Sequence, residues 1–233
     1  MSALDRNYQK LKTLSDFRVI DAPAVVSDLS QPESCPHQEQ MILRMLVRPK
    51  YSGGFYIPPE LEWLRDTIME VSEYDRKLTG IRDSWCYVTV RHGPVITETD
   101  DEWHFDGASF RTTLIPERNY VWVSHTGPEY KTGSVTYPDS FDPNRHNLFS
   151  FASDALEDQP VQVAPEREWL LMNPFSLHRR NPKTQGQYRT FIRISFPDIE
   201  GRDVMNTPNP LLDTPAFGRN PVQDFRNKLS HWS

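Results

Sequence analysis

Cysteine is scarce: Cys35 and Cys86 are the only two in 233 residues. Two thiols so far apart supply neither a disulfide framework nor the ligands of a cysteine zinc cluster. Long apolar runs are missing too. No stretch approaches the roughly 18 to 20 consecutive apolar residues of a membrane helix, and Met1–Lys12 is polar, with no apolar segment behind a basic start. The expectation is a soluble, cytoplasmic protein without a membrane partner. Positive charge is in deficit, with 26 Lys+Arg against 32 Asp+Glu and a net charge of −6. That balance argues against sequence-independent capture of nucleic acid, which draws its affinity from neutralised phosphates.

What is present is a modest apolar fraction of 37% in which aromatic residues make up 12% of the chain, so the core must lean on large rings. The size fits one domain with extensions. The 20 prolines and 10 glycines are spread widely, without internal repeat or low-complexity tract, which limits long helices. One helix is expected over about Pro58–Leu78, with proline at its start and Gly80 past its end; Leu61, Leu64, Ile68, Val71 and Leu78 recur at helical spacing. From residue 85 the period becomes strand-like, in Trp85–Arg91, Phe110–Leu114, Tyr120–His125, Ser134–Tyr137, Leu148–Phe151, Val161–Val163, Trp169–Met172 and Tyr188–Phe196. Short runs at this spacing read as an all-β sandwich or barrel. The chain therefore divides into an N-terminal extension with a packing helix (1–84), a β core (85–196) and a C-terminal covering arm (197–233) with a last helix candidate at Pro221–His231.

Three short motifs carry chemistry. In Trp103-His104-Phe105-Asp106-Gly107 an imidazole and a carboxylate stand two residues apart, so in extended chain both point the same way and can grip one metal ion. Alone, a His-x-Asp is more often a surface loop. His178 follows the apolar run Trp169–Met172, and with it the set becomes two imidazoles and one carboxylate, which leaves adjacent positions open on non-haem Fe(II). In Tyr188–Phe196, alternation puts Arg189, Phe191, Arg193 and Ser195 on one face and Thr190, Ile192, Ile194 and Phe196 on the other. Two guanidinium groups on one face require it to be wet or to line a polar cavity, where arginine binds a carboxylate through its fork.

In this order and spacing the residues resemble the Fe(II)/2-oxoglutarate-dependent dioxygenase superfamily, over about residues 85–196. The resemblance implies a mainly β fold with flanking helices around a double-stranded β-helix, a jelly-roll or cupin-like core. It implies His104, Asp106 and His178 as iron ligands, 2-oxoglutarate as cosubstrate and O2 as oxidant, with succinate and CO2 released. Arg189 is the first choice for the far carboxylate of 2-oxoglutarate, and Arg193 with Ser195 the second, since relatives use arginines at either spacing. Tyr87, expected to share an inward face with Trp85, Thr89 and Arg91, is a candidate cosubstrate contact. Hydroxylation of a small molecule such as an amino acid or related metabolite is the implied reaction.

Around this set, Trp103, Phe105, Phe110 and Trp122 are expected as core rings near the triad, with Arg111 and His125 as polar companions. Arg179, Arg180 and Lys183 read as a solvated basic loop or as a lure for an anionic substrate, and Glu98–Glu102 as a solvated acidic loop. His37, His92, His146 and His231 have no companion at ligand spacing and read as structural. Two other readings stay open: the same chemistry on a protein side chain or nucleobase, and a catalytically silent β-barrel module whose triad holds zinc or a structural ion.

Overall fold

The computed structural model describes residues 4, 18–96, 101–106, 117–142, 145–198, 200–201 and 206–213. Within these the protein is mainly β with two α-helices. The strands are β1 (Val19–Ile20), β2 (Ala24–Val25), β3 (Met41–Arg48), β4 (Cys86–Pro94), β5 (Arg118–Val123), β6 (Glu129–Lys131), β7 (Gly133–Ser134), β8 (Gln162–Val163), β9 (Leu170–Met172), β10 (Leu177–Arg179) and β11 (Tyr188–Phe196); the helices are α1 (Arg65–Thr79) and α2 (Leu148–Ala155). A six-stranded antiparallel sheet runs in the order β2-β9-β5-β11-β4-β3, a three-stranded sheet in the order β10-β6-β8, and β1 pairs with β7. The segment before residue 85 thus gives strands to the large sheet as well as a helix.

The register of β11 sorts its side chains as the alternation predicts. Ile192 and Ile194 lie opposite Val90 and Val88, and with Cys86, Tyr120 and Phe196 they join the buried stripe Leu61, Leu64, Ile68 and Val71 in the main core. Each fully buried aliphatic chain of this kind contributes about 1.5–3 kcal/mol. The helical stretch opens as a 3-10 turn over Pro59–Leu64, where proline needs no N–H partner, and continues as α1. It ends at Gly80, whose φ of 69° is left-handed and whose N–H donates to the Arg76 carbonyl. A buried ion pair also ties α1 to the sheet. Arg118 donates to Asp75 through Nε (3.1 Å) and a terminal nitrogen (2.8 Å), and the Tyr120 hydroxyl donates to the same carboxylate at 3.0 Å.

Leu148–Phe151, expected as a strand, is the first half of α2. The Asn147 side chain accepts from the N–H groups of Phe149 (2.9 Å) and Ser150 (3.3 Å), an N-cap that starts a helix. Leu148, Ala152 and Leu156 are buried at helical spacing, a period that four residues are too few to reveal. Of Ser134–Tyr137 only Ser134 lies in a strand, while Val135 and Tyr137 pack with Phe141 in a second apolar cluster. The expected strand Phe110–Leu114 and helix Pro221–His231 lie outside the described residues.

The free edge of β3 is covered. The Thr207 N–H donates to the Arg44 carbonyl at 2.7 Å, and Asn209 Nδ2 donates to the Leu46 and Tyr56 carbonyls, both at 2.7 Å. Such contacts occupy backbone groups that an open edge would present to other chains. No helix among the described residues is long and apolar enough to cross a membrane.

Candidate metal centre

His104 and His178 stand opposite each other across an antiparallel bridge, each N–H donating to the other's carbonyl at 3.0 and 3.1 Å. Alternation does the rest. Phe105 turns into the second apolar cluster beside Phe175 and Leu177, so His104 and Asp106 turn the other way, as His178 does after Leu177. One ligand atom from each of His104, Asp106 and His178 can be chosen so that all lie within 4.8 Å of one another. The imidazole centroids are 4.5 Å apart, and His178 Nε2 is 3.6 Å from Asp106 Oδ2.

Both rings are oriented by the backbone. His104 Nδ1 lies 2.8 Å from the Glu102 carbonyl and His178 Nδ1 2.8 Å from the Ser176 carbonyl. A carbonyl only accepts, so Nδ1 carries the proton and Nε2 of the neutral ring keeps its lone pair for an ion. Arg180 braces the pair by bonding Asp101 on the His104 side while also donating to Thr184 and Gln185. Burial alone pushes the Asp106 carboxyl up, but the Arg193 guanidinium, with His178 and His104 beside it, reverses this and holds it well below the usual carboxylate range. A ready anion and two imidazoles whose Nδ1 atoms are tied to carbonyls suit a divalent first-row ion and leave coordination positions open.

Arg193, on β11, donates to Asp106 Oδ2 at 2.8 Å. Arg189 shares its face but sits four residues earlier, about 13 Å along the strand, where it donates to the Thr126 carbonyl at 3.2 Å. Ser195 donates to Asn119 Oδ1. Tyr87, opposite Ser195 on the same face, accepts from the Gly201 N–H at 2.9 Å, and burial pushes its hydroxyl up to about 12. Arg193 is therefore the arginine at the triad, Arg189 marks the far end of the face, and Ser195 and Tyr87 are held by Asn119 and Gly201.

The surroundings differ from expectation in three places. Trp122 lies opposite Ile192 on the helix side of the sheet, bonded to Gln31, because its position on β5 has the other parity. Arg179 and Arg180 are not a solvated basic loop: Arg179 pairs with Glu129 and lies 4.6 Å over the Trp103 ring, while Arg180 is buried against Asp101. Only Lys183 of that trio is exposed. His37, His92 and His146 make local hydrogen bonds to Glu60, to Thr190 and Tyr188, and to Asp142. His125 is exposed beside Ser124. Residues 98–100, Phe110, Arg111 and His231 lie outside the described residues.

Sequence reasoning missed Arg44. It lies opposite Thr89, which lies opposite Arg193, so all three project from the same face. A charged residue inside the apolar run Met41–Val47 was the signal.

No protein-family model matches the chain, and no curated protein matches it. Among solved structures, AviO1 from Streptomyces viridochromogenes Tue57 is similar at 14% identity and a TM-score of 0.40, over 80% of this chain and 78% of that one. EvdO2 from Micromonospora carbonacea var. aurantiaca, complexed with 2-oxoglutarate, is similar at 7% identity and 0.39, over 79% and 82%. SnoK, a non-heme alpha ketoglutarate dependent carbocyclase from nogalamycin biosynthesis, is similar at 13% identity and 0.34, over 67% and 70%.

Proposed function

We propose that this chain is a non-haem Fe(II)- and 2-oxoglutarate-dependent dioxygenase that hydroxylates a small molecule, such as an amino acid or related metabolite, with release of succinate and CO2. The observation that carries the reading is the convergence of His104, Asp106 and His178 beside Arg193. In support, the strands around the site alternate between two sheets in chain order. Strand β4 is in the large sheet, His104 bridges to the small one, β5 is large, β6 and β8 small, β9 large, β10 small and β11 large. That winding is the one a double-stranded β-helix follows.

Bound Fe(II) and 2-oxoglutarate would supply the activation of O2 and, through decarboxylation of the cosubstrate, the oxidising equivalents. The chain's own groups do the positioning. His104 and His178 present Nε2 lone pairs, and Asp106 stays ionised because Arg193 faces it. Arg193 also offers a cation for a carboxylate near the triad. Arg189 would hold the far carboxylate of an extended cosubstrate lying along β11. Val121, Val123, Leu170 and Met172, with Phe191 packed against them, give the same region an apolar wall that keeps water from the reacting groups.

The test is anaerobic addition of Fe(II) and then 2-oxoglutarate, following the weak visible charge-transfer band of an iron–keto-acid chelate. The band should form in the wild-type protein and fail in His178→Ala. Arg189→Ala should raise the 2-oxoglutarate concentration needed more than Arg193→Ala does. Iron binding without the band refutes the reading and leaves a silent metal-binding β-barrel.

A further inference from the structure

We infer that Arg44 and Thr89 form a second anion subsite, which holds a carboxylate of the primary substrate; the inference rests on the dioxygenase reading above. Across the sheet, Arg44, Thr89 and Arg193 stand in one row. Adjacent strands are separated by about 4.8 Å, so Arg44 starts about 10 Å from Arg193.

Polar atoms near this row that are buried and make no hydrogen bond among the described residues include Arg44 Nε, Thr89 Oγ1 and Asn119 Nδ2. Thr89 is 4% exposed and Asn119 0%. Buried polar groups left this way cost free energy until something completes them. Arg44 Nε and Thr89 Oγ1, on neighbouring strands, can both donate, so the complement they call for is an acceptor. Arg44 makes no ion pair among the described residues.

The guanidinium is held in place. Its centre lies 5.2 Å from the Tyr87 ring centroid, and a Cβ on Gly201 would come within 3.2 Å of its terminal nitrogen, so the backbone passes closely over it. A fork pinned between a ring and a glycine is pre-organised for a planar carboxylate. The direction separates this ligand from the cosubstrate. From Arg193, Arg189 lies along the strand, whereas Arg44 lies across the strands. A keto acid stretched toward Arg189 leaves the Arg44 side open for a second molecule.

The probe is benzoate, with benzamide as its neutral isostere, added to protein loaded with Mn(II) and saturating 2-oxoglutarate. Paramagnetic relaxation of the ring protons reports binding near the metal. Benzoate should be relaxed and benzamide not. Arg44→Gln and Thr89→Val should each cut the benzoate effect by about fivefold or more, Arg44→Lys should retain part of it, and the 2-oxoglutarate requirement should stay within about twofold. Equal relaxation of the two probes, or an effect unchanged in both variants, overturns the inference. So does a roughly tenfold rise in the 2-oxoglutarate requirement of Arg44→Gln, which would give Arg44 to the cosubstrate. If Arg44→Gln does not fold, Thr89→Val and Arg44→Lys decide. Failure of the wild-type protein to bind Mn(II) overturns the dioxygenase reading as well, whereas normal binding of metal and cosubstrate without charge selection overturns this inference alone.

Discussion

Removing Asp75 tests how the helix is fastened to the sheet. Its carboxylate is 3% exposed and accepts from both sides of the Arg118 fork and from Tyr120, while Arg118 is 0% exposed and also reaches Ser84 Oγ at 3.2 Å. Asp75→Leu leaves that guanidinium buried without its counter-charge, which costs about 3–5 kcal/mol in such settings. Arg118→Met strands the carboxylate instead and should cost a similar amount. The double variant Asp75→Leu/Arg118→Met removes both charges, so its loss should be smaller than either single loss. About 1–3 kcal/mol is expected, for the Tyr120 and Ser84 hydroxyls deprived of these partners. Urea unfolding followed by tryptophan fluorescence, with a constant slope across the series, gives the four free energies and the coupling. The reasoning fails if Asp75→Leu costs less than about 1 kcal/mol, or if the double variant is less stable than both single ones.

His104→Ala and Asp106→Asn should abolish succinate formation and weaken metal binding by about 100-fold or more while remaining folded by circular dichroism, because neither side chain belongs to an apolar cluster; unfolding of both variants would mark the metal as structural. In the metal-free protein the folded Asp106 carboxyl titrates below its unfolded value of about 3.9, so its stabilisation is present above that pH and lost as pH falls through the folded value. The stability difference between wild type and Asp106→Asn should therefore shrink from about pH 5 to pH 3, and a constant difference in urea melts would contradict the Arg193 contact. Asn147→Ala removes the α2 cap and should cost about 1 kcal/mol in the same assay.

The parts of the fold set by local rules were legible in the sequence. The stripe Leu61–Val71 and Gly80 mark the helix, and alternation in Tyr188–Phe196 separates the arginine face from the core face. The convergence of the triad was legible because each ligand sits next to an apolar residue that turns into the second cluster: Phe105 between His104 and Asp106, Leu177 before His178. What was not legible depends on pairing between distant segments. Met41–Val47 reads as a short apolar run until β4 is placed beside it, and only then does Arg44 acquire a direction. Trp122 looked like a neighbour of the triad because sequence proximity does not reveal strand parity. In α2, the aromatic positions Phe149 and Phe151 mimicked a strand, and the Asn147 cap was the overlooked sign.

Strand β11 serves two masters by parity, since its even-numbered positions from Thr190 to Phe196 face the helix side and its odd-numbered ones face the triad. Selectivity and thermal robustness are therefore written in separate letters of one nine-residue word. A library randomised at 191 and 195, together with 44 and 89 across the sheet, could retune ligand preference while the hydrophobic contacts at 192, 194 and 196 stay fixed. Inserting a single amino acid anywhere in the strand would exchange the two alphabets and ruin both.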